Sequence, residues 1–446
     1  MISIKWIFLL FGIRTRIFNI YVHKKYFIFA EINAFWIVNK KKIFNDPIYG
    51  FISIPFELVF DLIEHPYFQR LRHIKQLGLT HLVYPGALHT RFHHALGAMY
   101  LMGQAIEVIR SKGHEITEQE AEAVTVAILL HDIGHGPFSH SLEHSIVSGV
   151  HHEDLSTLFM QKLNSVFKGR LTMAIEIFNN QYPKKFLHQL VSSQLDVDRL
   201  DYLKRDSFYS GVSEGVIGSD RIIKMLDVVN DELAIEAKGI YSIEKFIIAR
   251  RLMYWQVYLH KTVIAADQLL VNILNRAKEL ADNKIELFAT PALEYFLYNK
   301  VTQQSFVDDP ALLQKFSELD DNDIFTSIKV WTKHHDPTLS CLCKNLVARN
   351  LYKIALQNAP FAKEKIVQLK EKAKGRYSLS DEEVNHFVFS HSIKNSAYNP
   401  ANDKINILYK DGQVVDIANA SDQLNISVLS TPVTKYYLCY PKDLTR

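Results

Sequence analysis

The residues best suited to chemistry lie in one segment, residues 129–140, which reads Leu-Leu-His-Asp-Ile-Gly-His-Gly-Pro-Phe-Ser-His. An apolar helix ends there in the adjacent pair His131 and Asp132, and the glycines and proline that follow break it. Polar side chains at the end of a buried helix need partners. Neutral imidazole and carboxylate both coordinate Mg, Mn, Fe or Zn, so a divalent cation is one way to satisfy them. The segment therefore indicates a metal site.

Two distant segments offer further ligands to such a cation. His94 stands at the start of a helix rich in small residues, and Asp198 lies in an acidic run on an apolar scaffold. Each of these two alone is more simply interpreted as a buried core residue. The neighbouring Asp196, Asp201 and Asp206 are expected to be helix caps or ion-pair partners. Together the segments predict one divalent metal ion, of open identity, held by His94, His131, Asp132 and Asp198.

The elements that must position these residues are mainly helical. Glu118–Leu130 is predicted as a helix, with Thr117 as its N-cap and Glu120 three residues later. Apolar residues recur at three- and four-residue spacings along most of the remaining chain. This periodicity predicts helices at His152–Val166, Lys184–Val191, Asp196–Asp206, Ser242–Ala277, Ala311–Phe316, Ile324–Lys333 and Leu339–Leu356.

Beyond residue 375 the pattern becomes richer in β signals. Ile405–Tyr409 and Val414–Ile417 flank an Asp-Gly turn and predict a hairpin, and Tyr436–Tyr440 predicts another strand. We therefore predict a mainly α fold with a small α/β C-terminal lobe. The expected divisions are an N-terminal extension over 1–40, a helical domain over 41–375 whose metal core spans 91–206, and the lobe over 376–446.

The composition excludes several classes of protein. The chain has 446 residues, 48% of them hydrophobic, and a net charge of +3, so it can bury a large core but carries no global nucleic-acid or membrane signature. Trp6–Ile13 is too short to span a bilayer, and no small-residue cleavage site follows it. We expect residues 1–40 to be disordered or not part of the native protein. Only three cysteines occur, which predicts a reducing, cytoplasmic location.

The sequence also resembles a known family. His94, the pair His131-Asp132 and Asp198 resemble the H…HD…D signature of the HD phosphohydrolase superfamily. Longer stretches resemble one branch, the dNTP triphosphohydrolases; they are Asn45–Gly50, Phe68–Arg72, Ile74–Gly78 and His131–His140. The resemblance runs from about residue 41 to 375, and more loosely through the C-terminal lobe. Cyclic-di-GMP hydrolases carry a Gly-Tyr-Pro motif that is missing here, and guanosine tetraphosphate hydrolases frame their His-Asp pair differently.

The resemblance implies a metal-dependent reaction that releases inorganic triphosphate from a dNTP. The implied catalytic residues are His135, His140, Glu143 and His152. His140 would protonate the leaving 5′-oxygen, supported by Glu143 and His152, and His135 would contact the attacked phosphate. Glu143 stands where the vertebrate relative has Asp, which makes its role the least secure of the four.

The resemblance also implies a set of substrate-binding residues, namely Gln76, Leu77, Arg91, Arg199, Tyr202, Asp206 and Tyr258. Arg91 and Arg199 suit phosphate, because guanidinium binds phosphate oxygens in a bidentate manner. Gln76 and Asp206 would hydrogen-bond a 3′-hydroxyl, Leu77 and Tyr202 would pack on the sugar, and Tyr258 would fill the space beside C2′. Taken one by one, the neutral residues of this set are more simply explained by helix packing.

A second nucleotide site is implied as well, because the relatives assemble as oligomers and bind activating nucleotides between subunits. The residues at the corresponding positions are Asn45, Gln69, Arg72, Arg221, Lys238, Lys261, Arg349 and Lys353. Glu64 replaces an Asp that reads guanine in the relatives, and Glu236 stands where a basic residue is expected. These departures leave the activator open. We expect a homo-oligomer, a dimer or tetramer, with a nucleotide substrate and no membrane or nucleic-acid partner.

Two other functions fit the same residues. One is hydrolysis of another nucleotide, either a monophosphate or a signalling nucleotide. The other is a non-catalytic HD module that binds nucleotide or nucleic acid and acts through assembly. The presence of all four metal-ligand candidates together with His140 argues against the second alternative.

Overall fold

A computed structural model describes residues 42–138, 145, 147, 149–399, 403–421 and 432–445. The predicted extension over 1–40 lies outside these residues. The helices in this part of the chain are α1 Glu57–Glu64, α2 Pro66–Gln69, α3 Arg91–Ser111, α4 Glu118–Leu130, α5 His152–Val166, α6 Thr172–Phe178, α7 Lys185–Val191, α8 Val197–Ser210, α9 Ser219–Lys224, α10 Ile240–Met253, α11 Lys261–Asp282, α12 Pro291–Tyr298, α13 Gln303–Asp308, α14 Pro310–Ser317, α15 Asp321–Trp331, α16 Pro337–Val347, α17 Lys363–Tyr377 and α18 Ile417–Ala420. The prediction of a mainly α fold is confirmed.

The strands form small sheets at the edges of the helical body. They are β1 Ile43–Asp46, β2 Gly50–Ser53, β3 Leu226–Val229, β4 Glu232–Glu236, β5 Lys353–Gln357, β6 Phe389–Asn395, β7 Asn406–Leu408, β8 Val414–Asp416 and β9 Val433–Tyr440. β1 and β2 form a hairpin, the second sheet has the order β3-β4-β7-β8, and the third has the order β5-β9-β6. The predicted C-terminal hairpin is present as the antiparallel pair β7–β8, and β9 contains the strand predicted at Tyr436–Tyr440.

The C-terminal strands complete sheets that begin in the helical region. β7 runs parallel to β4 and pairs Ile407 with Ile235, while β9 pairs Cys439 with Ile354 of β5. The lobe predicted over 376–446 therefore shares both of its sheets with strands that precede residue 375. Its boundary stays a prediction.

Helix α3 is the centre of the core that holds the site. It packs against α4 and α8, and it buries residues around its whole circumference over its first two turns. Small side chains such as Ala95 and Ala98 allow this close approach. The N-terminus of α3, the C-terminus of α4 and the N-terminus of α8 thus bring three distant sequence segments together.

Two predicted helices end differently from the expectation. Ser242–Ala277 is not one helix, because α10 ends at Met253 and a π-helical turn, Tyr254–Tyr258, precedes α11. The side chain of His260 accepts a hydrogen bond from the Thr262 backbone N–H and starts the second helix. Apolar residues recur at helical spacing on both sides of the break, so apolar periodicity alone does not reveal it.

The helix predicted over Leu339–Leu356 ends early. α16 stops at Val347, and Arg349 has a left-handed φ of 54° that turns the chain into strand β5. The alternation of β5 was too short to separate from the helical pattern. No helix among the described residues has the length and apolarity needed to cross a membrane.

Candidate active site

The turn after α4 is shaped by close packing of its backbone. His131 caps the helix, and the Ile133 N–H still bonds the Leu130 carbonyl at 3.0 Å. A Cβ on Gly134 would overlap the backbone of His152 and Ser156 in helix α5, so only glycine fits there. The Gly134 N–H donates to the Ser156 hydroxyl at 3.0 Å, and that hydroxyl donates to the His131 carbonyl at 2.7 Å. Helix α5 therefore holds the turn in place.

A buried arginine holds the turn from the other side. Arg70 donates hydrogen bonds to the carbonyls of Ile133 and His135, at 2.8 and 2.7 Å. Its guanidinium also lies over the rings of Phe159 and Phe316, at 5.3 and 5.5 Å. Burial lowers the pKa of Arg70 to about 9, which leaves it charged near neutrality. Arg70 lies in one of the stretches that resemble the family, but the sequence alone predicts no role for it.

The four predicted metal ligands come together at the end of this turn. The Nε2 atom of His94 lies 3.3 Å from Nε2 of His131 and 3.0 Å from Oδ1 of Asp198. His131 Nε2 lies 3.5 Å from both Asp198 Oδ1 and Asp132 Oδ1. Ligand-capable atoms of His94, His131 and Asp198 all lie within 4.8 Å of one another. Asp132 completes a ring of two imidazoles and two carboxylates.

Hydrogen bonds at the far side of each imidazole orient its Nε2 lone pair towards the centre. His94 Nδ1 donates to the Asp201 carboxylate at 2.7 Å, and His131 Nδ1 donates to the Ile128 carbonyl at 2.6 Å. A histidine with its proton on Nδ1 presents an unprotonated Nε2 when it is neutral. Such a far-side acceptor is the usual companion of a metal-binding histidine.

The ring of ligand atoms fits a small divalent cation. Four acceptors converge there, and only a cation or protons can satisfy all of them. For ligand bonds of about 2.1 Å, neighbouring ligand atoms in tetrahedral or octahedral geometry lie roughly 3.0–3.4 Å apart. Four of the spacings in the ring, at 3.0–3.5 Å, lie close to this range, and His94 Nε2 lies 3.9 Å from Asp132 Oδ2. The donor set suits Mg, Mn, Fe or Zn, and it does not distinguish among them.

The electrostatics of the ring agree with that fit. Burial acts to lower the pKa of His94, but hydrogen bonds to Asp198 and Asp201 and the charges of both raise it to about 10. Burial acts to raise the pKa of Asp198, but its hydrogen bonds to His131 and His94 hold it well below the usual range. The carboxylates therefore create a strongly negative pocket that attracts positive charge. A metal ion would compete with the proton for His94, since ligation requires neutral imidazole.

Arg91 and His135 flank the carboxylate of Asp132. Arg91 forms an ion pair with Asp132, and His135 Nε2 lies 3.3 Å from Asp132 Oδ1. The ring of His135 stacks on that of His152 with centroids 3.8 Å apart. Burial and the charge of Arg91 lower the pKa of His135 well below its usual value, so its imidazole is neutral at physiological pH. Two of the predicted catalytic residues thus adjoin the ligand ring. His140 and Glu143 lie outside the described residues.

Two cavities lie near the Arg91–Asp132 ion pair, and one of them is bounded by residues of the ring itself. One, of about 320 Å³, is lined by His131, Asp132, His152 and Asp198. The other, of about 420 Å³, brings together four of the predicted substrate residues with further aromatic and polar side chains. Its lining is Gln76, Leu77, Gly78, Thr80, Arg91, Phe138, Tyr254, Tyr258, Leu259, Val263, Asp267, Gln268 and Val271. Arg91 lines the second cavity and pairs with Asp132 of the first, so the two cavities meet at that ion pair.

Tyr258 and the three predicted substrate residues that do not line the larger cavity are held by protein contacts. The Tyr258 hydroxyl donates to Asp206 at 2.7 Å, and its ring packs edge-on against Tyr202 at 6.2 Å. Asp206 is buried and also bonds His89 at 2.7 Å. Arg199 pairs with Asp196, which caps α8, and it lines a neighbouring cavity of about 320 Å³. The expectation that Asp196 is a cap is confirmed.

The residues predicted for a second nucleotide site lie in separate groups on this single chain. Arg72 Nε donates to Gln69 at 2.8 Å, next to the hairpin that carries the exposed Asn45. Arg221 donates to the Lys238 carbonyl at 3.1 Å, and Lys238 pairs with Glu236 at 2.6 Å. The other three are Lys261 at the start of α11, Arg349 after α16 and Lys353 in β5, all of them exposed.

Two residues near the site, Asp267 and Arg250, are not predicted from the sequence. Asp267 lines the larger cavity, and no hydrogen bond or ion pair joins its carboxylate to the rest of the described chain. A single acidic residue inside the apolar run of α11 is the signal that could have identified it. Arg250 lies 5.9 Å from the Tyr254 ring and donates to Gln194 at 3.3 Å. Nothing in the local sequence separates it from an ordinary surface arginine.

Comparisons with known proteins agree with this geometry. A family model described as HD domain matches residues 91–206, and one described as HD associated region matches residues 217–290. The uncharacterized protein YwfO of Bacillus subtilis is 31% identical over 422 residues, which cover 91% of this chain and 94% of that protein. The crystal structure of a phosphohydrolase from Bacteroides thetaiotaomicron has a TM-score of 0.87 and 56% identity, and the match covers 90% of this chain and 99% of that chain.

A more distant relative carries a named activity. Human deoxynucleoside triphosphate triphosphohydrolase SAMHD1 is 30% identical over 376 residues, which cover 74% of this chain and 57% of the human protein. A hypothetical protein from Aquifex aeolicus has a crystal structure with a TM-score of 0.67 and 26% identity over 91% of this chain. The helical fold is therefore shared with two bacterial proteins of known structure.

Proposed function

We propose that this chain, which belongs to the HD-domain family of phosphohydrolases, is a metal-dependent enzyme. It hydrolyses dNTPs to deoxynucleoside and inorganic triphosphate. The observation that carries the proposal is the ring of His94, His131, Asp132 and Asp198, which borders one cavity and whose Asp132 pairs with Arg91 in the wall of a second. A divalent ion bound there would polarise a phosphoryl oxygen and lower the pKa of a coordinated water.

The residues around the ring suit the binding of phosphate. Arg91 stands between the two cavities, where its guanidinium can contact oxygens of a triphosphate that bridges them. His135 is neutral and stacked on His152, so it can donate a hydrogen bond to the attacked phosphate without adding charge. Arg199, in the adjoining cavity, would take the distal phosphates.

The leaving 5′-oxygen needs a proton, and histidine is the side chain best matched to that task near pH 7. His140 is our candidate for the general acid, with Glu143 and His152 as its acid-base partners. Of these, His152 lines the cavity beside the ligand ring. His140 and Glu143 lie outside the described residues, and the family resemblance is what supports both assignments.

The larger cavity suits a deoxynucleoside. Its volume of about 420 Å³ lies within the usual range for small-molecule sites, and its wall mixes aromatic and polar side chains. Gln76 and Leu77 line one part of it and would meet the sugar, with Asp206 and Tyr202 behind Tyr258. The ring of Tyr258 would occupy the space needed by a 2′-hydroxyl, which favours dNTPs over NTPs.

Hydrolysis in oxygen-18 water tests the proposal and separates it from its alternatives. Attack of water on the α-phosphorus breaks the bond from that phosphorus to the 5′-oxygen, so the label must enter inorganic triphosphate and not the deoxynucleoside. Each dNTP and NTP is incubated with the protein and Mg²⁺ or Mn²⁺, and products are analysed by mass spectrometry. Orthophosphate or pyrophosphate released from a dNTP would mean that a different bond is cleaved and would contradict triphosphate release. Nucleoside monophosphates and signalling nucleotides are incubated in the same way, and turnover of these alone would replace dNTPs as the substrate class. No turnover of any nucleotide would favour the non-catalytic module.

We also propose a homo-oligomer with an activating nucleotide between subunits, supported by the exposed basic residues at the positions implied by the family. The pairs Gln69–Arg72 and Arg221–Lys238 each offer donors on the surface. Sedimentation velocity with and without added nucleotide tests this point. A larger assembly in the presence of nucleotide that is lost in Arg72→Ala is the expected result, and a single species under all conditions would contradict it.

A further inference from the structure

A buried chain of charged side chains runs from the ligand ring to the β1–β2 hairpin. His94 Nδ1 donates to Asp201 Oδ2 at 2.7 Å, and Arg205 Nε donates to the same oxygen at 2.9 Å. Arg205 Nη2 donates to Asp201 Oδ1 at 3.0 Å, and Nη1 donates to Asp46 Oδ2 at 2.8 Å. This chain of charged side chains therefore joins α3, α8 and β1 through a single guanidinium.

This chain of charged side chains is isolated from solvent. The side chains of His94, Asp201 and Arg205 are 0% exposed, and that of Asp46 is 5% exposed. A Cβ on Gly97 would overlap both the Asp201 carboxylate and the Arg205 guanidinium, so α3 has glycine where the pair packs against it. In such surroundings charges interact strongly, because little water screens them.

Asp46 also fixes the local structure of the hairpin. Its second oxygen, Oδ1, accepts the backbone N–H groups of Ile48 and Tyr49, at 2.9 and 3.0 Å. The turn between β1 and β2 and the guanidinium of Arg205 are thus bound to one carboxylate. With two carboxylates and one guanidinium, the group of Asp46, Arg205 and Asp201 has a net charge of −1 beside the Nδ1–H of His94.

We propose that Asp46 and Arg205 are positioning residues of the metal centre, which set the orientation and the donor strength of His94 through Asp201. The inference rests on His94 being a metal ligand, as in the proposed function. A negative acceptor on the Nδ1–H makes Nε2 a stronger ligand, and such outer partners commonly contribute 10–100-fold to metal affinity. Removal of the Asp46 charge would make the group neutral and leave Arg205 less firmly held.

The isosteric substitution Asp46→Asn tests the proposal, because the amide oxygen can still accept hydrogen bonds. We expect Mn²⁺ to bind Asp46→Asn about 10-fold more weakly than wild type, measured by equilibrium dialysis. The visible spectrum of bound Co²⁺ should change as well, since it reports the ligand geometry directly. Arg205→Lys keeps the charge but loses the forked contact to both carboxylates, so it should also weaken Mn²⁺ binding.

Asp336→Asn is a matched control. Asp336 likewise accepts a backbone N–H, that of Leu339 at 2.7 Å, and an arginine donor, Arg276 Nη2 at 2.7 Å. This pair belongs to α16 and α11 and makes no contact with the ligand ring. Asp336→Asn should cost similar stability and leave the Mn²⁺ affinity within twofold of wild type.

The outcomes separate this proposal from the proposed function. If wild type binds Mn²⁺ and both Asp46→Asn and Arg205→Lys bind it equally well, the positioning role is wrong and the metal centre stands. Equal weakening in Asp46→Asn and Asp336→Asn would also overturn the positioning role, because it would reflect general destabilisation. If wild type binds none of the divalent metals tested, the metal centre fails and the positioning role fails with it.

Discussion

The Nε2 atoms of His94 and His131 face each other across 3.3 Å, although the two residues belong to different helices. Each imidazole is held by an acceptor on its far side, and Asp132 and Asp198 lie around the same point. Two neutral imidazoles with facing lone pairs repel each other unless a cation or a proton lies between them. This repulsion is the physical reason to expect a metal ion between the two rings.

The packing of the turn after α4 predicts the effect of a single methyl group. Gly134→Ala should lower the free energy of unfolding by about 2 kcal/mol or more, because the new Cβ overlaps the backbone of α5. Gly375→Ala is the control, since a Cβ there, in the last turn of α17, meets nothing within 4 Å. It should raise the stability by about 0.5–1 kcal/mol. Urea denaturation measures both, and equal effects would contradict the assigned packing.

The position of Tyr258 predicts how the sugar is selected. Tyr258→Ala should lower the ratio of kcat/KM for a dNTP to that for the matching NTP by roughly 10-fold or more, because space opens beside C2′. Tyr258→Phe removes only the hydroxyl that bonds Asp206 and keeps the ring. It should retain most of the discrimination. If Phe and Ala lower the ratio equally, then the hydrogen bond to Asp206 and not the ring is responsible.

Asp267 predicts a pH-dependent stability. Burial raises the pKa of Asp267 to about 7, above the value of about 3.9 in an unfolded chain. Between these two values the folded protein binds more protons than the unfolded protein, so this group lowers the stability as the pH rises from about 4 to about 7. Asp267→Asn removes the effect. As the pH rises across that window, the free energy of unfolding of the variant should rise relative to that of wild type by on the order of 1–2 kcal/mol. The gain is limited to this size because the cavity partly solvates the carboxylate.

Urea denaturation of wild type and Asp267→Asn at pH 5, 6, 7 and 8 measures this gain. Asp282→Asn, at the exposed end of the same helix, is the matched control. Arg91, Tyr254 and Tyr258 face the same cavity, and they are unchanged in the comparison. If the stability difference between Asp267→Asn and wild type stays constant from pH 5 to pH 8, then Asp267 is already ionised in the folded protein over that range and the prediction is wrong.

Much of this arrangement could be predicted from the sequence because the information is local. Helices Glu118–Leu130 and His152–Val166 begin and end at the predicted residues; apolar periodicity indicates both, and the Thr117 cap also marks the start of the first. The candidate ligands were identified by residue type within short motifs. The chain of charged side chains from His94 to Asp46 could not be predicted. Arg205 and Asp46 are 159 positions apart, and only the packing of α8 on the hairpin joins them. The π-helical turn at Tyr254–Tyr258 likewise depends on tertiary contacts.

The most direct test of the metal centre combines metal removal with one ligand substitution. The protein is treated with a chelator, its metal content is measured, and the initial rate of triphosphate release from a dNTP is recorded before and after Mn²⁺ is restored. We predict that chelation abolishes the rate, that Mn²⁺ restores it in wild type and in the control His73→Ala, and that His131→Ala stays at least roughly 100-fold slower while folded. A metal-depleted protein that keeps its full rate, or a His131→Ala variant as fast as wild type, would contradict a catalytic metal centre at this ring.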